Sequence, residues 1–277
     1  MAEVITSGQN PKIKTLMALQ EKSRERRQKG LFVLEGRREL EHALEAGFVL
    51  DTVFVCPEIL SLTNETPLLK AFLKDKPDVI EVSNSVYSKI AYREGTEGII
   101  AEVVTPERTL ASLALPDNPL VMVLESVEKP GNLGAVLRSA DAAGADAVII
   151  CDPLTDLFNP NLIRASIGAI FTVPVVTATS AEAIKYLKDR KIQILTAQLQ
   201  DSSLYYETDM RGGTALVMGT EATGLTPVWR MAADAHIRIP MLGRLDSLNV
   251  SVSAAILLYE AVRQRQSPVI LSKAKNP

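Results

Sequence analysis

The sequence predicts an α/β protein of two domains, on three observations. Short apolar strands alternate with helical segments along the whole chain. In the second half those strands are apolar at successive positions, the pattern of a parallel sheet covered on both faces. A stretch with three prolines and no long periodicity, PERTLASLALPDNP at 106–119, separates the halves as a linker, and 277 residues suffice for two domains.

The first domain is assigned to residues 1–105. NPKIKTLMALQEKSRERRQKG reads as one helical segment, with Asn10 as N-cap, Pro11 at the first helical position and Gly30 as its stop. Ile13, Leu16, Met17 and Leu19 form its apolar stripe. GLFVLEG follows as a strand and RRELEHALEA as a helix ending at Gly47. LDTVFV is a strand, TPLLKAFLKD (66–75) a helix, DVIEV a strand, SNSVYSKIAY a helix and GIIAEVV a strand. The linker's Leu110, Leu113 and Leu115 predict that it packs against something.

The second domain is assigned to 120–265, with a tail at 266–277. LVMVLE and ADAVIIC are strands around a helix from about Leu133 to Ala143. Further strands fall at TVPVV, IQILTA, TALVMG and HIRIP, and helices at SAEAIKYLKD and SLNVSVSAAILLYEAVRQR.

Composition excludes several classes. Cys56 and Cys151 lie far apart, and His42 and His236 are isolated, so neither a disulfide framework nor a protein-held metal is expected. No apolar run reaches the roughly 18 residues of a membrane span, and MAEVITSGQNPKIK lacks the apolar core of a signal peptide. Both point to a cytoplasmic protein. Net charge is −3, yet residues 1–40 carry nine Lys/Arg against five Asp/Glu, a local +4 that leaves −7 on the rest. Arg24, Arg26, Arg27 and Lys29 are therefore candidate phosphate contacts, with a solvated helix face as the competing reading.

Three polar clusters follow strands of the second domain: ESVEKPGNLGAVLRSADAAG, GTEATGL and PMLGRLDSLNVSVSAA. Ligands bind outside the carboxyl ends of strands in open parallel sheets, so the three predict one composite site. Each also has a plainer reading. Gly131 and Gly134 suit a tight turn, Asn132 and Ser247 suit helix caps, Glu221 suits a surface turn and Arg138 an exposed helix face. Neither G-x-G-x-x-G nor G-x-x-x-x-G-K-[ST] is present, which counts against a dinucleotide- or ATP-dependent enzyme.

PGNLGAVLRSADAAG, LVMGTEATGL and IPMLGRLDSLNVSVSAAILLYE resemble the three ordered motifs of the SpoU/TrmH family of SPOUT methyltransferases, over residues 120–264. FNPNLIRASIGAIFTVPV also resembles that family, and NPKIK through GLFVLEGRREL resembles its L30e-like RNA-binding domain. Departures are small: Glu125 where aspartate is common, Ser139 for threonine, and Ala222–Thr223 in a loop often written with glycine. The resemblance implies a deep trefoil knot in the parallel-sheet domain, an exception to the rule against threaded chains. It implies methyl transfer from S-adenosylmethionine to a ribose 2′-hydroxyl of structured RNA, ribosomal RNA before transfer RNA. Ala197, Gly219, Ile239, Met241 and Leu248 are the implied cofactor contacts. Asn132, Arg138, Glu221, Ser247 and Asn249 are the implied catalytic set, with Asn132 and Glu221 fixing the substrate and Arg138. A guanidinium stays protonated in nearly all proteins, so orienting the hydroxyl and a phosphate competes with a base role for Arg138. The alternative function is a non-catalytic RNA-binding or ribosome-assembly protein on the same fold. A homodimer is expected from the last helix, where Val250, Ala254, Leu257, Leu258 and Ala261 make a broad apolar face; packing within one subunit is the competing reading.

Overall fold

A computed structural model of the chain describes residues 4–60, 79–92 and 97–266. The helix expected over 66–75 and residues 267–277 of the tail lie outside them. The chain divides into two compact units, Met1–Glu107 with Asp156–Thr172, and Arg108–Thr155 with Val173–Pro277. The unbroken stretch 120–265 expected from sequence is thus interrupted by a segment that belongs to the first unit.

The first unit holds a five-stranded mixed sheet in the order β1-β4-β3-β5-β2: β1 Val4–Ile5, β2 Leu31–Glu35, β3 Leu50–Val55, β4 Val79–Val82 and β5 Ile99–Val104. Its helices are α1 Pro11–Glu21, α2 Ser23–Lys29, α3 Arg37–Glu45, α4 Pro57–Leu60 and α5 Asn84–Ile90. Ile13, Leu16 and Leu19 of α1 pack with Phe54, Val82 and Ile100. Asn10 caps α1 by accepting from the Lys12 N–H at 2.9 Å, with Pro11 first in the helix, and Gly30 ends α2 at φ +62°. The single helix expected from 10 to 30 is broken at Lys22, which is extended (φ −116°, ψ 113°).

Arg26 explains the break. Its Nη1 donates to the carbonyls of Leu19 (2.6 Å) and Gln20 (3.1 Å), orphan acceptors at the end of α1 that a cation satisfies well. Its Nε bonds Asp156 Oδ2 at 2.6 Å, and only 5% of the side chain meets solvent. Arg26 is therefore removed from the predicted phosphate cluster, because its side chain is buried and its Nε and Nη1 donors are spent inside the fold. Arg24, Arg27 and Lys29 remain exposed.

Aromatic packing attaches the 156–172 segment, with its helices α7 Pro160–Ser166 and α8 Ala169–Thr172, to the same unit. The Phe158 ring stacks on Phe32 at 4.3 Å, and Phe171 meets Phe48 edge-on at 5.1 Å. Apolar rings of this size bury large areas and favour both geometries.

The second unit holds seven strands, each pair parallel, in the order β10-β12-β9-β11-β6-β7-β8. They are β6 Leu120–Glu125, β7 Ala147–Cys151, β8 Val175–Ala178, β9 Gln193–Ala197, β10 Ser203–Leu204, β11 Thr214–Met218 and β12 Ala235–Arg238. Every residue of β6, β7 and β11 is buried, as the apolar runs predict for a sheet covered on both faces. The covering helices are α6 Pro130–Ala142, α9 Ser180–Asp189, α10 Pro227–Ala232 and α11 Val250–Arg265. In the expected linker, Leu113 joins the core of this unit and Leu110 and Leu115 pack against it. The apolar face of α11 is used at home: Val250, Ala254, Leu257, Leu258 and Ala261 are all buried within the chain, α11 lying against α6, β6 and β11. That face gives no argument for a dimer.

Arg26→Ala leaves Asp156 without its cation in a largely enclosed position, which typically costs about 3 kcal/mol or more. Chemical denaturation should show that loss, while Arg27→Ala at the exposed neighbour stays within about 0.5 kcal/mol. Equal effects for the two would contradict the capping role of Arg26.

Candidate active site

Three segments leave the C-terminal ends of parallel strands in the second unit and converge. The first runs from β6 into α6, the second (219–225) follows β11, and the third (239–249) runs from β12 into α11. β6 and β11 are hydrogen-bonded neighbours, and only β9 separates β11 from β12. The sheet order thus places the three segments side by side where open parallel sheets bind ligands.

Glu221 joins them. Its Oε1 accepts the Asn249 amide at 2.8 Å, the Asn132 amide at 3.1 Å and the Val250 N–H at 3.5 Å. Its Oε2 pairs with Lys129 Nζ at 3.0 Å. The second hydrogen of Asn249 Nδ2 reaches Asn132 Oδ1 at 3.1 Å. Asn249 also caps α11, its Oδ1 accepting the Ser251 N–H at 2.9 Å. The Lys129 ammonium, then the Val250 N–H, and more weakly the Asn132 amide, hold the Glu221 carboxyl below the usual carboxylate range. It is therefore an ionised acceptor at neutral pH.

Beside this cluster lies a cleft of about 610 Å3, within the roughly 300–1,000 Å3 typical of small-ligand sites. Ala197, Gly219, Ile239, Met241 and Leu248 all line it, as do Glu221, Ser247 and Asn249. The glycine at 219 is required by the protein's own chain before any ligand is considered. A Cβ there would stand 2.3 Å from the backbone carbonyl of Gly224, so the 219–225 segment could not fold back on itself. Ser247 makes no cap; its hydroxyl lies 3.2 Å from Asp246 Oδ1. Asn132, Gly131 and Gly134 sit within α6, so neither the cap nor the tight-turn reading describes them.

Arg138 stands apart from the cluster. It is exposed on α6, does not line the cleft, and among the described residues makes no hydrogen bond or ion pair. The expected hold of Glu221 on Arg138 is replaced by Lys129, a residue that sequence reasoning missed. The signal available was its place just before Pro130, at the mouth of the first loop. Cys151 ends β7, where burial first, then Asp152, Glu125 and Glu182, push its thiol far above the ordinary range. Burial and neighbouring carboxylates thus favour its protonated, unreactive form.

Fold and site together define an α/β unit with a ligand-sized cleft formed at three loops, in a chain whose other unit is a separate α/β fold. The chain belongs to the SpoU rRNA Methylase family, whose sequence profile matches residues 119–259. The profile of the MRM3-like substrate binding domain matches residues 10–101. Among curated relatives, the 23S rRNA (guanosine-2′-O-)-methyltransferase RlmB of Salmonella typhimurium is 36% identical over 264 residues, 91% of this chain and 97% of the relative. A 23S rRNA guanosine 2′-O-methyltransferase of Bacillus subtilis, RlmP, is 30% identical over 255 residues, 92% and 97% of the two chains. A solved AdoMet-bound rRNA methyltransferase from Sinorhizobium meliloti matches with a TM-score of 0.86 at 29% identity, covering 96% of this chain and 99% of that one.

The ion pair predicts the titration of Glu221. A depressed carboxyl stabilises the fold above its unfolded pKa, and the gain is lost as pH falls through the folded one. Carboxyl-resolved NMR should find Glu221 titrating below the usual glutamate range, and Lys129→Met should bring it back towards that range. An unchanged titration in Lys129→Met would remove Lys129 from the site.

Proposed function

We propose that the protein transfers a methyl group from S-adenosylmethionine to a ribose 2′-hydroxyl of ribosomal RNA, a guanosine as in its curated relatives. The observation that carries this is the meeting of the Glu221–Asn132–Asn249 cluster with a ligand-sized cleft on three loops, in a chain of this family. The cleft suits the cofactor. Ala197, Met218, Ile237 and Leu257 offer an apolar wall for a purine, and Glu221 and Asp246 offer negative charge to a sulfonium. S-adenosylmethionine, when bound, supplies an electrophilic methyl group. The chain's own residues orient what meets it: Asn132 and Asn249, locked by Glu221, are fixed rather than free amides. Catalysis here is positioning, which alone can be worth several powers of ten. Arg138 is proposed to orient the ribose hydroxyl and an adjacent phosphate, for which its unpaired, exposed guanidinium is suited.

RNA is proposed to meet Arg24, Arg27 and Lys29 in the first unit. Neutralising all three should flatten the salt dependence of RNA binding by roughly one log-log unit for each phosphate left without its cation. Ribosomal RNA as substrate carries a cytoplasmic location with it; among the described residues no helix is long and apolar enough to cross a membrane. The trefoil knot belongs to the same proposal, supported by the meeting of the 219–225 and 239–249 segments through Glu221 and Asn249.

A homodimer through the second unit is also proposed, on a different surface from the buried face of α11. Val252 and Tyr259, seven residues apart on the outer side of α11, are exposed, as are Leu242 (97%) and Leu245 (75%) of the third segment. These exposed apolar side chains are the ones such a dimer would cover. Light scattering at micromolar concentration should give twice the monomer mass; a monomer would refute it.

The direct test of the function compares 2′-O-methyl sites in ribosomal RNA with and without the protein, where one site should depend on it. RNA binding with no methyl mark would favour an assembly role instead. Arg138→Ala should cut methyl transfer about a hundredfold or more while S-adenosylmethionine affinity holds. Arg138→Lys should recover little, because lysine keeps the charge and loses the planar fork. Normal turnover by the alanine variant would make Arg138 an ordinary surface residue.

A further inference from the structure

Glu125, the last residue of β6, is a buried acid (3% exposed) outside the Glu221 cluster, and both of its oxygens are engaged. Oε2 accepts the Thr226 backbone N–H at 2.8 Å, and Oε1 accepts the Thr226 hydroxyl at 2.6 Å. Ser180 Oγ lies 3.2 Å from the same Oε1. A hydroxyl has one hydrogen to give, and the shorter contact, 2.6 Å to Asp152 Oδ2, takes it. The Trp229 indole N–H in turn donates to Ser180 Oγ at 2.9 Å. Thr226 occupies the N-cap of α10, where a threonine commonly accepts from the first turn. It makes no side-chain cap bond there; its hydroxyl faces Glu125 instead.

The consequence lies one residue upstream. The segment 219–225 forms a wall of the cleft and carries Glu221. It is folded into a tight unit: Gly224 N–H bonds Thr220 O at 3.0 Å, the Thr220 and Thr223 hydroxyls lie 2.8 Å apart, and the Gly224 backbone presses on Gly219. Met218 holds one end of this unit in the sheet. The other end is Thr226, and Glu125 is its anchor. We propose that Glu125 is a positioning residue for the cofactor: by clamping Thr226 it sets the 219–225 wall in its binding position before the cofactor arrives. This rests on the reading of the cleft as the S-adenosylmethionine site. A preset wall spares the ordering cost that a loose loop would charge against affinity.

Thr226→Val removes one donor to Glu125 and nothing from the cleft, so it is the mildest probe. Calorimetry should find S-adenosylmethionine and S-adenosylhomocysteine bound roughly tenfold more weakly, the scale of one hydrogen bond to a charged group. KM for the cofactor should rise by the same factor, with kcat at saturating cofactor and KM for RNA within about twofold. Glu125→Gln should behave similarly, and Glu125→Asp, which keeps two acceptor oxygens, should recover most of the affinity. The Glu125→Gln/Thr226→Val double variant should be no weaker than the weaker single one, since both break one clamp. Lower melting temperatures with unchanged cofactor affinity would make the network ordinary core packing and overturn the assignment. So would a fall in kcat and in RNA affinity that matches the loss of cofactor affinity. If the wild-type chain itself binds no S-adenosylmethionine, the functional reading fails and this inference with it, a result distinct from equal binding by wild type and variants.

Discussion

One carboxylate oxygen, Glu221 Oε1, holds the site together. Its partners Asn132 and Asn249 are 89 residues before and 28 after it in sequence, and the asparagines bond to each other across 117 residues. A cluster assembled over such separations exists only because the strands feeding its loops are ordered β12-β9-β11-β6. β6 and β11 are short and buried along their whole length, so the sheet leaves little freedom at those loop roots. The loops then need few bonds to be defined, and those bonds converge on one ionised acid. Removing it would leave Asn132, Asn249 and Lys129 to choose among solvent and one another.

The same economy governs charge elsewhere. Arg26 and Glu125 are buried side chains that each meet several partners, the condition under which burying such polar groups is tolerable. Arg26 ends a helix and ties down the 156–172 segment, while Glu125 ties down the 219–225 segment. Arg24, Arg27, Lys29 and Arg138 face solvent instead, where they are proposed to meet RNA. Burial separates Arg26 from its exposed neighbours Arg24 and Arg27, and residue type alone does not.

That division marks what could be read from sequence. Strand positions in the parallel sheet followed from apolar runs, and the start of α1 from Asn10 and Pro11, because these signals are local. The three loop clusters were legible as a group for the same reason: each directly follows a strand. Arg26 looked like its neighbours Arg24 and Arg27, since a helical arginine's burial depends on what packs over it, here Asp156 from 130 residues away. The break at Lys22 was hidden because no glycine or proline marks it. Two-residue edge strands such as β1 and β10 carry too little pattern to detect. Lys129 and the Glu125–Thr226 clamp are tertiary facts, with no spacing rule behind them.

The central claim is that Asn132, Glu221 and Asn249 act as one unit. Single-turnover methyl transfer to ribosomal RNA measures it most directly, using Asn132→Ala, Asn249→Ala and the double variant. A unit predicts that the double variant is little slower than the slower single one, since either change leaves the other amide unlocked. Fully multiplicative losses would show two independent residues and contradict the account.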